Sequence, residues 1–280
     1  YRFRSLPVNE DKPANGIRLW IASASHAHSE RLPLGTIFPN KSCELLSNSG
    51  IPCDVLNASL PGLNIPKNVE WLEALGGKYR PDYAFFYQQS VEILEAQAVQ
   101  PTEKSSALSL PLISFDSVRK LMQSSSIYPL VNQYLGGTTL LNGPIPDTLK
   151  SSAQDNYRQH VEAFIAVCRS KGIKPVLLTF ATSHTAENLS AMPYDEWLAF
   201  VKYEHKLSPV GWVNTVKDWN KLLRSVAEKE NVPLIDLEPQ LAGRPEFFVD
   251  FVHFNSEGHQ VIAQNIARFV SAQLAGQVKS

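Results

Sequence analysis

Ile17-Arg18-Leu19-Trp20-Ile21-Ala22, followed at once by Ser23-Ala24-Ser25, is the stretch on which the fold reading turns. It is a short, mostly apolar run after the turn-forming Pro13-Ala14-Asn15-Gly16, and small residues replace it where a helix would next begin, which is strand-to-helix punctuation. Outward from it, Phe38 to Ser47 has a helical pattern stopped by Asn48-Ser49-Gly50, and Asp54 to Asn57 makes a second short strand. Pro66 to Leu75 is again helical. Asp82 to Tyr87 is an aromatic third strand entered through Arg80-Pro81. Such a β-α-β-α-β rhythm favours a parallel sheet with right-handed crossovers.

The rhythm lapses between Val91 and Ser152 into Ser-, Pro- and Gly-bearing sequence with one helical candidate near Phe115 to Gln123. A stretch that long without clear periodicity is expected to be a lid or insertion rather than a plain connection. Order returns with a helix from about Asn156 to Lys171, a strand at Pro175 to Phe180, a helix from Trp212 to Asn231, a strand at Pro233 to Leu237 and a closing helix from Ser256 to Leu274. Ala181 to Gly211 reads as irregular and aromatic. Five strands alternating with helices predict a three-layer α/β/α, flavodoxin-like domain spanning residues 1–280, with the insertion at about 91–152. Ligands in such sheets sit at the carboxyl ends of the strands, so the loops after Ala22, Asn57, Tyr87, Phe180 and Leu237 are where a site is expected.

Composition removes several classes of function. The 280 residues carry 26 Lys plus Arg against 27 Asp plus Glu, and no basic run, so nucleic acid and anionic lipid have no evident electrostatic attraction to the chain. No segment approaches the ~20 apolar residues of a membrane helix. The chain opens on Tyr1 rather than Met, so the reading expects a trimmed piece and prefers an extracytoplasmic location. Cys43, Cys53 and Cys168 lack metal-type spacing; buried thiols are one reading, and a Cys43–Cys53 bridge in an oxidising compartment is the other.

Three loops hold candidate chemistry. Ser25 follows the first strand, where its hydroxyl and nearby backbone N–H groups can face one crevice. Asn57-Ala58-Ser59-Leu60-Pro61-Gly62 follows the second, and Gly62 lets its N–H approach a substrate closely. Far downstream, Asp250-Phe251-Val252-His253 sets two ionisable groups in an apolar stretch. The spacing allows the carboxylate to orient the imidazole while the other ring nitrogen takes a proton from a serine. Ser256 is the expected N-cap of the helix that follows. A metal reading of His26, His28 and His253 lacks a recognised ligand spacing. His184 is expected to be a solvated loop residue, and His259 to face outward or pack locally.

Together these segments resemble the SGNH (GDSL-like) hydrolases and acyltransferases. Ile17 to Ser25 is similar to their strand-to-nucleophile block, Asn57 to Gly62 to the second block, Arg80 to Tyr87 to the strand before the third, and Asp250 with His253 to the Asp-x-x-His of the last. The resemblance implies Ser25, His253 and Asp250 as nucleophile, general base and its orienting carboxylate, with an oxyanion hole from the N–H groups of Ser25 and Gly62 and a third donor. Where the family carries Gly-x-Asn, this chain has Gln89-Ser90-Val91, and Val91 has no side-chain donor. Loss of one such donor typically costs ~2.7–4 kcal/mol of transition-state stabilisation; Gln89, or Gln88, is therefore the expected substitute. The implied activity is a serine esterase or O-acyl hydrolase on an acylated carbohydrate or cell-envelope polymer, needing no cofactor or metal. An O-acyltransferase and a non-catalytic binding domain are the alternatives. Trp197, Tyr203, Trp212 and Trp219 form a candidate sugar-stacking wall.

Overall fold

The structure, a computed structural model, describes residues 3–98, 147–203 and 207–277. The helical candidate near Phe115 to Gln123, and most of the expected insertion, lie outside them. Five parallel strands form one sheet: β1 (Ile17–Ser23), β2 (Cys53–Ser59), β3 (Tyr83–Tyr87), β4 (Lys174–Leu178) and β5 (Leu234–Ile235), in the order β2-β1-β3-β4-β5. β1 is buried at all seven positions, as a parallel strand covered on both faces must be. Register pairs Ser23 with both Ser59 and Tyr87, so the carboxyl ends of the three strands are level and the loops beyond them adjoin.

The helices between strands are α1 (Ser25–His28), α2 (Phe38–Asn48), α3 (Ile65–Tyr79), α4 (Ser90–Ala98), α5 (Ser151–Ser170), α6 (Tyr194–Tyr203), α7 (Pro209–Lys229), α8 (Glu238–Leu241) and α9 (Ser256–Gln277). α2 packs with α9 on one face of the sheet, and α3, α5 and α7 pack in series on the other. The longer ones have identifiable starts. Asn64 accepts the Lys67 N–H ahead of Pro66, and Ser208 accepts the Gly211 N–H ahead of Pro209, so both helices open on a side-chain cap followed by a pre-set proline φ. Trp20 and Trp212, each fully buried, anchor the core, and truncating either to Ala would cost about 3–5 kcal/mol.

Arg18 is the one charge in β1, and it too is fully buried. Its guanidinium makes two bonds to Asp54, at 2.8 and 2.7 Å, and donates to the carbonyls of Asn9, Glu10, Asp11 and Tyr79. Every donor direction is therefore used, which offsets the desolvation cost of a buried cation. This cluster sits at the amino end of the strands, opposite the crevice. Cys43 and Cys53 are bridged, joining α2 to the start of β2, and Cys168 is a buried free thiol. Among the described residues no helix is long and apolar enough to cross a membrane.

Three expectations are corrected. α6 occupies the middle of the segment read as irregular, because Tyr194, Trp197 and Phe200 form a helical stripe rather than an unpatterned aromatic scatter. The helix α4 extends order eight residues past Ser90, into the stretch assigned to the insertion. The cap of α9 is Asn255, not Ser256: its Oδ1 accepts the N–H groups of Glu257 and Gly258, both at 3.0 Å. Gly258 itself is dictated by space, since a Cβ there would lie 2.4 Å from the Phe247 carbonyl oxygen.

Candidate active site

Ser25 opens the four-residue turn of helix that follows β1, and is partly exposed above a buried Ala24. The small residues before it have a packing reason. Ser23 donates to the Tyr87 carbonyl at 2.6 Å, tying β1 to β3 just short of the crevice. Asn57 ties the turn from the other side by donating to the Ala27 carbonyl at 2.9 Å. Ser29, in the left-handed region at φ 43°, ends the turn with its N–H on the Ser25 carbonyl.

Asp250 and His253 reach Ser25 from a loop 225 residues later in the chain. Phe248 and Phe254 pair in antiparallel fashion with their rings 4.6 Å apart, closing that loop at its base. Phe251 is pinned inside by Phe200 and Trp212, and its carbonyl accepts the Ser183 N–H. The two ionisable groups are thereby left at the tip. His253 Nε2 lies 2.8 Å from Ser25 Oγ, and His253 Nδ1 lies 2.9 and 2.8 Å from the two oxygens of Asp250. Asp250 Oδ1 also accepts the backbone N–H groups of Val252 and His253. Partial burial works against the charge of Asp250, but the His253 ring and these two N–H groups outweigh it and hold the carboxyl below its ordinary range. A hydroxyl, an imidazole and an ionised carboxylate thus form one continuous chain of hydrogen bonds, the arrangement that lets a serine lose its proton as it attacks.

Gly62 adopts φ +72°, a left-handed conformation that suits glycine, and a Cβ there would meet nothing within 4 Å. Among the described residues neither its N–H nor that of Ser25 is engaged elsewhere. The two glutamines differ from expectation. Gln88 Nε2 spends both of its N–H bonds inward, on the Leu63 carbonyl and Glu92, while its Oε1 accepts from Asn68. Gln89 is fully buried with its Nε2 on Asn220 of α7, at 2.8 Å. Val91 is apolar, buried and already inside α4. The polar group of this loop that reaches the turn after β1 is Ser90, whose Oγ lies 3.1 Å from the Nε2 of His26.

Several histidines are placed otherwise than the sequence suggested. His26 is fully buried with its ring stacked on that of His253. His28 Nδ1 contacts the Ser59 carbonyl. His259 is buried rather than outward: its Nδ1 accepts the Phe38 N–H, its Nε2 donates to Ser29 Oγ, and that hydroxyl donates to the His26 carbonyl. Burial, Arg4 and His253 push its pKa down to about 3, so it is neutral. His184 is buried beside Ser183 and Glu196. Among the described residues no three His, Cys, Asp or Glu side chains converge as metal ligands. The proposed aromatic wall is reduced to Trp197, which is exposed, because Trp212 and Trp219 belong to the core; the Tyr203 side chain lies outside what is described.

No family model and no curated protein matches the sequence. Similarity emerges in three dimensions. An acetylxylan esterase from Geobacillus stearothermophilus superposes with a TM-score of 0.56 at 13% identity, over 91% of this chain and 94% of that one. A second acetyl xylan esterase gives 0.55 at 14% identity over 91% and 100%, and a GDSL-like lipase from Bacteroides thetaiotaomicron 0.53 at 8% over 93% of each chain. Sheet order, crossover pattern and these superpositions agree that the chain has the three-layer α/β/α fold of the SGNH hydrolases.

Proposed function

We propose that this protein is a serine esterase that removes acyl groups from a carbohydrate through an acyl-enzyme on Ser25. The observation that carries the reading is the 2.8 Å contact between Ser25 Oγ and His253 Nε2, with Asp250 on the opposite ring nitrogen. Ser25 Oγ attacks the ester carbonyl carbon as its proton passes to His253 Nε2. The resulting oxyanion is met by the N–H groups of Ser25 and Gly62. Collapse breaks the bond to the leaving oxygen, which takes the proton from His253 and departs as the alcohol. Water then attacks the acyl carbon, giving its proton to His253, and the second collapse releases the acid and returns the proton to Ser25. Asp250 keeps the tautomer and stabilises the imidazolium throughout. A sugar hydroxyl in place of that water would make the same site a transferase, and product analysis with an added acceptor sugar separates the two.

A carbohydrate substrate is supported by the stacked pair Tyr194 and Trp197 on α6, 69% and 37% exposed with rings 12° apart. The same helix contacts Phe251, the neighbour of Asp250, through Phe200. Exposed flat aromatics suit the apolar face of a sugar ring. The acetylxylan esterases of the same fold point the same way. An extracytoplasmic location is supported by the Cys43–Cys53 bridge, since disulfides persist in oxidising compartments. The test is hydrolysis of a chromogenic short-chain ester and of an acetylated xylo-oligosaccharide, with fluorophosphonate labelling. Turnover and Ser25 labelling that both vanish in Ser25→Ala are expected; a parent protein inert to both esters and to the label would overturn the reading.

A further inference from the structure

The base of the proposed triad rests on a second histidine. The rings of His26 and His253 are 5.3 Å apart and 18° from parallel, an offset stack. His253 is held at its edge by Asp250, itself at the exposed tip of a loop, and a bond to one ring edge leaves the ring free to rock about that bond. His26 is held from several directions. Phe180 and Tyr87 present edges to it at 4.9 and 5.9 Å, and Ser90 Oγ lies 3.1 Å from its Nε2. Its backbone carbonyl accepts from Ser29, whose oxygen in turn accepts from His259.

We propose that His26 is a positioning residue for His253: its ring, fixed by Ser90, is the shelf that keeps the base's Nε2 on the Ser25 hydroxyl. The inference rests on the esterase reading above. Burial first, and the neighbouring His253 second, hold the His26 pKa well below its ordinary value, so the shelf is neutral. A neutral aromatic face beneath His253 attracts the imidazolium that forms as Ser25 gives up its proton, where a second cation would repel it. The shelf therefore contributes most when the base is charged, which is the condition for raising kcat rather than lowering KM. Ser90 gains a purpose from this: its hydroxyl sets the plane of the His26 ring.

The experiment compares His26→Ala, His26→Phe and Ser90→Ala in the full chain. Two readouts apply: kcat and KM on the chromogenic ester, and the low-field proton NMR signal of the His253 Nδ1–H bonded to Asp250. His26→Ala is expected to lower kcat about ten- to a hundredfold with KM within about threefold, the scale of a misplaced catalytic group, and to broaden the NMR signal. His26→Phe, which restores a flat ring, should recover most of kcat and keep the signal sharp, while Ser90→Ala falls between. Parental kcat and a sharp signal in His26→Ala overturn the proposal. Should His26→Ala not fold, a folded His26→Phe that loses activity, or a Ser90→Ala indistinguishable from the parent, overturns it instead. The NMR arm needs no turnover: an inert parent whose signal still broadens in His26→Ala refutes the esterase reading alone, whereas an active parent whose His26→Ala variant keeps parental kcat and a sharp signal refutes this inference alone.

Discussion

The loop closed by Phe248 and Phe254 meets Ser25 through His253, the loop that follows β3 meets the adjacent His26 through Ser90, and the two treat their polar groups in opposite ways. In the first, apolar residues at the base and at Phe251 are buried, and the ionisable pair is pushed to a half-exposed tip with one nitrogen turned to the serine. In the second, Gln88, Gln89 and Glu92 are buried and bonded to the protein itself. The amides there join strand to helix: Gln89 to Asn220, and Asn220 in turn to both the N–H and the carbonyl of Phe180. A polar group at a strand's carboxyl end is thus available for chemistry only where its hydrogen bonds are not already spent on the fold.

The sharpest way to break that contrast acts on the exposed loop. Asp250→Asn should preserve folding and lower kcat by about ten-thousandfold, because the amide favours the wrong imidazole tautomer; kinetics on the chromogenic ester checks it, and a loss below tenfold would remove Asp250 from the site. On the buried loop, Gln89→Ala should lower unfolding free energy by about 0.5–1.5 kcal/mol, the net loss of one buried hydrogen bond, since Asn220 Oδ1 keeps the Phe180 N–H, while kcat of the folded protein stays within about threefold. Denaturant titration and kinetics together read this. A hundred- to thousandfold loss of kcat with stability intact would instead make Gln89 the missing oxyanion donor.

The third effect is read through pH and concerns Glu92, whose burial pushes its pKa up to about 8 despite bonds from the Ile65 N–H and Gln88. Between its ordinary value and about 8 the unfolded chain has released a proton that the native state keeps, so stability falls by roughly tenfold in the folding equilibrium per pH unit as pH rises. His26 and His259, both lowered, act in reverse: their contribution is present above their ordinary value and is lost as pH falls below it. These terms together place maximum stability near pH ~6.5. Glu92→Gln, which keeps an acceptor oxygen, should move the maximum to higher pH in thermal melts; an unmoved maximum would show that Glu92 does not titrate in this way.

What was legible in sequence followed from local rules. The five strands announced themselves because a strand buried on both faces must be apolar along its length, and the helices because glycine, proline and asparagine punctuate them. Asp250 and His253 stood out because two ionisable groups three residues apart in an apolar stretch need a reason. Helix α6 was hidden by its mixture of polar and aromatic residues, and the Asn255 cap by an equally good capper beside it.

Only the folded chain decided which polar residues face the crevice. Residue type says what a glutamine or histidine can bond, but whether Gln89 turns to Asn220 or to a substrate, and whether His259 points out or locks Ser29, depends on partners more than a hundred residues away. No pattern within one element encodes that choice, because the direction of a side chain at a strand end is set by whichever distant group satisfies its hydrogen bonds once water is excluded.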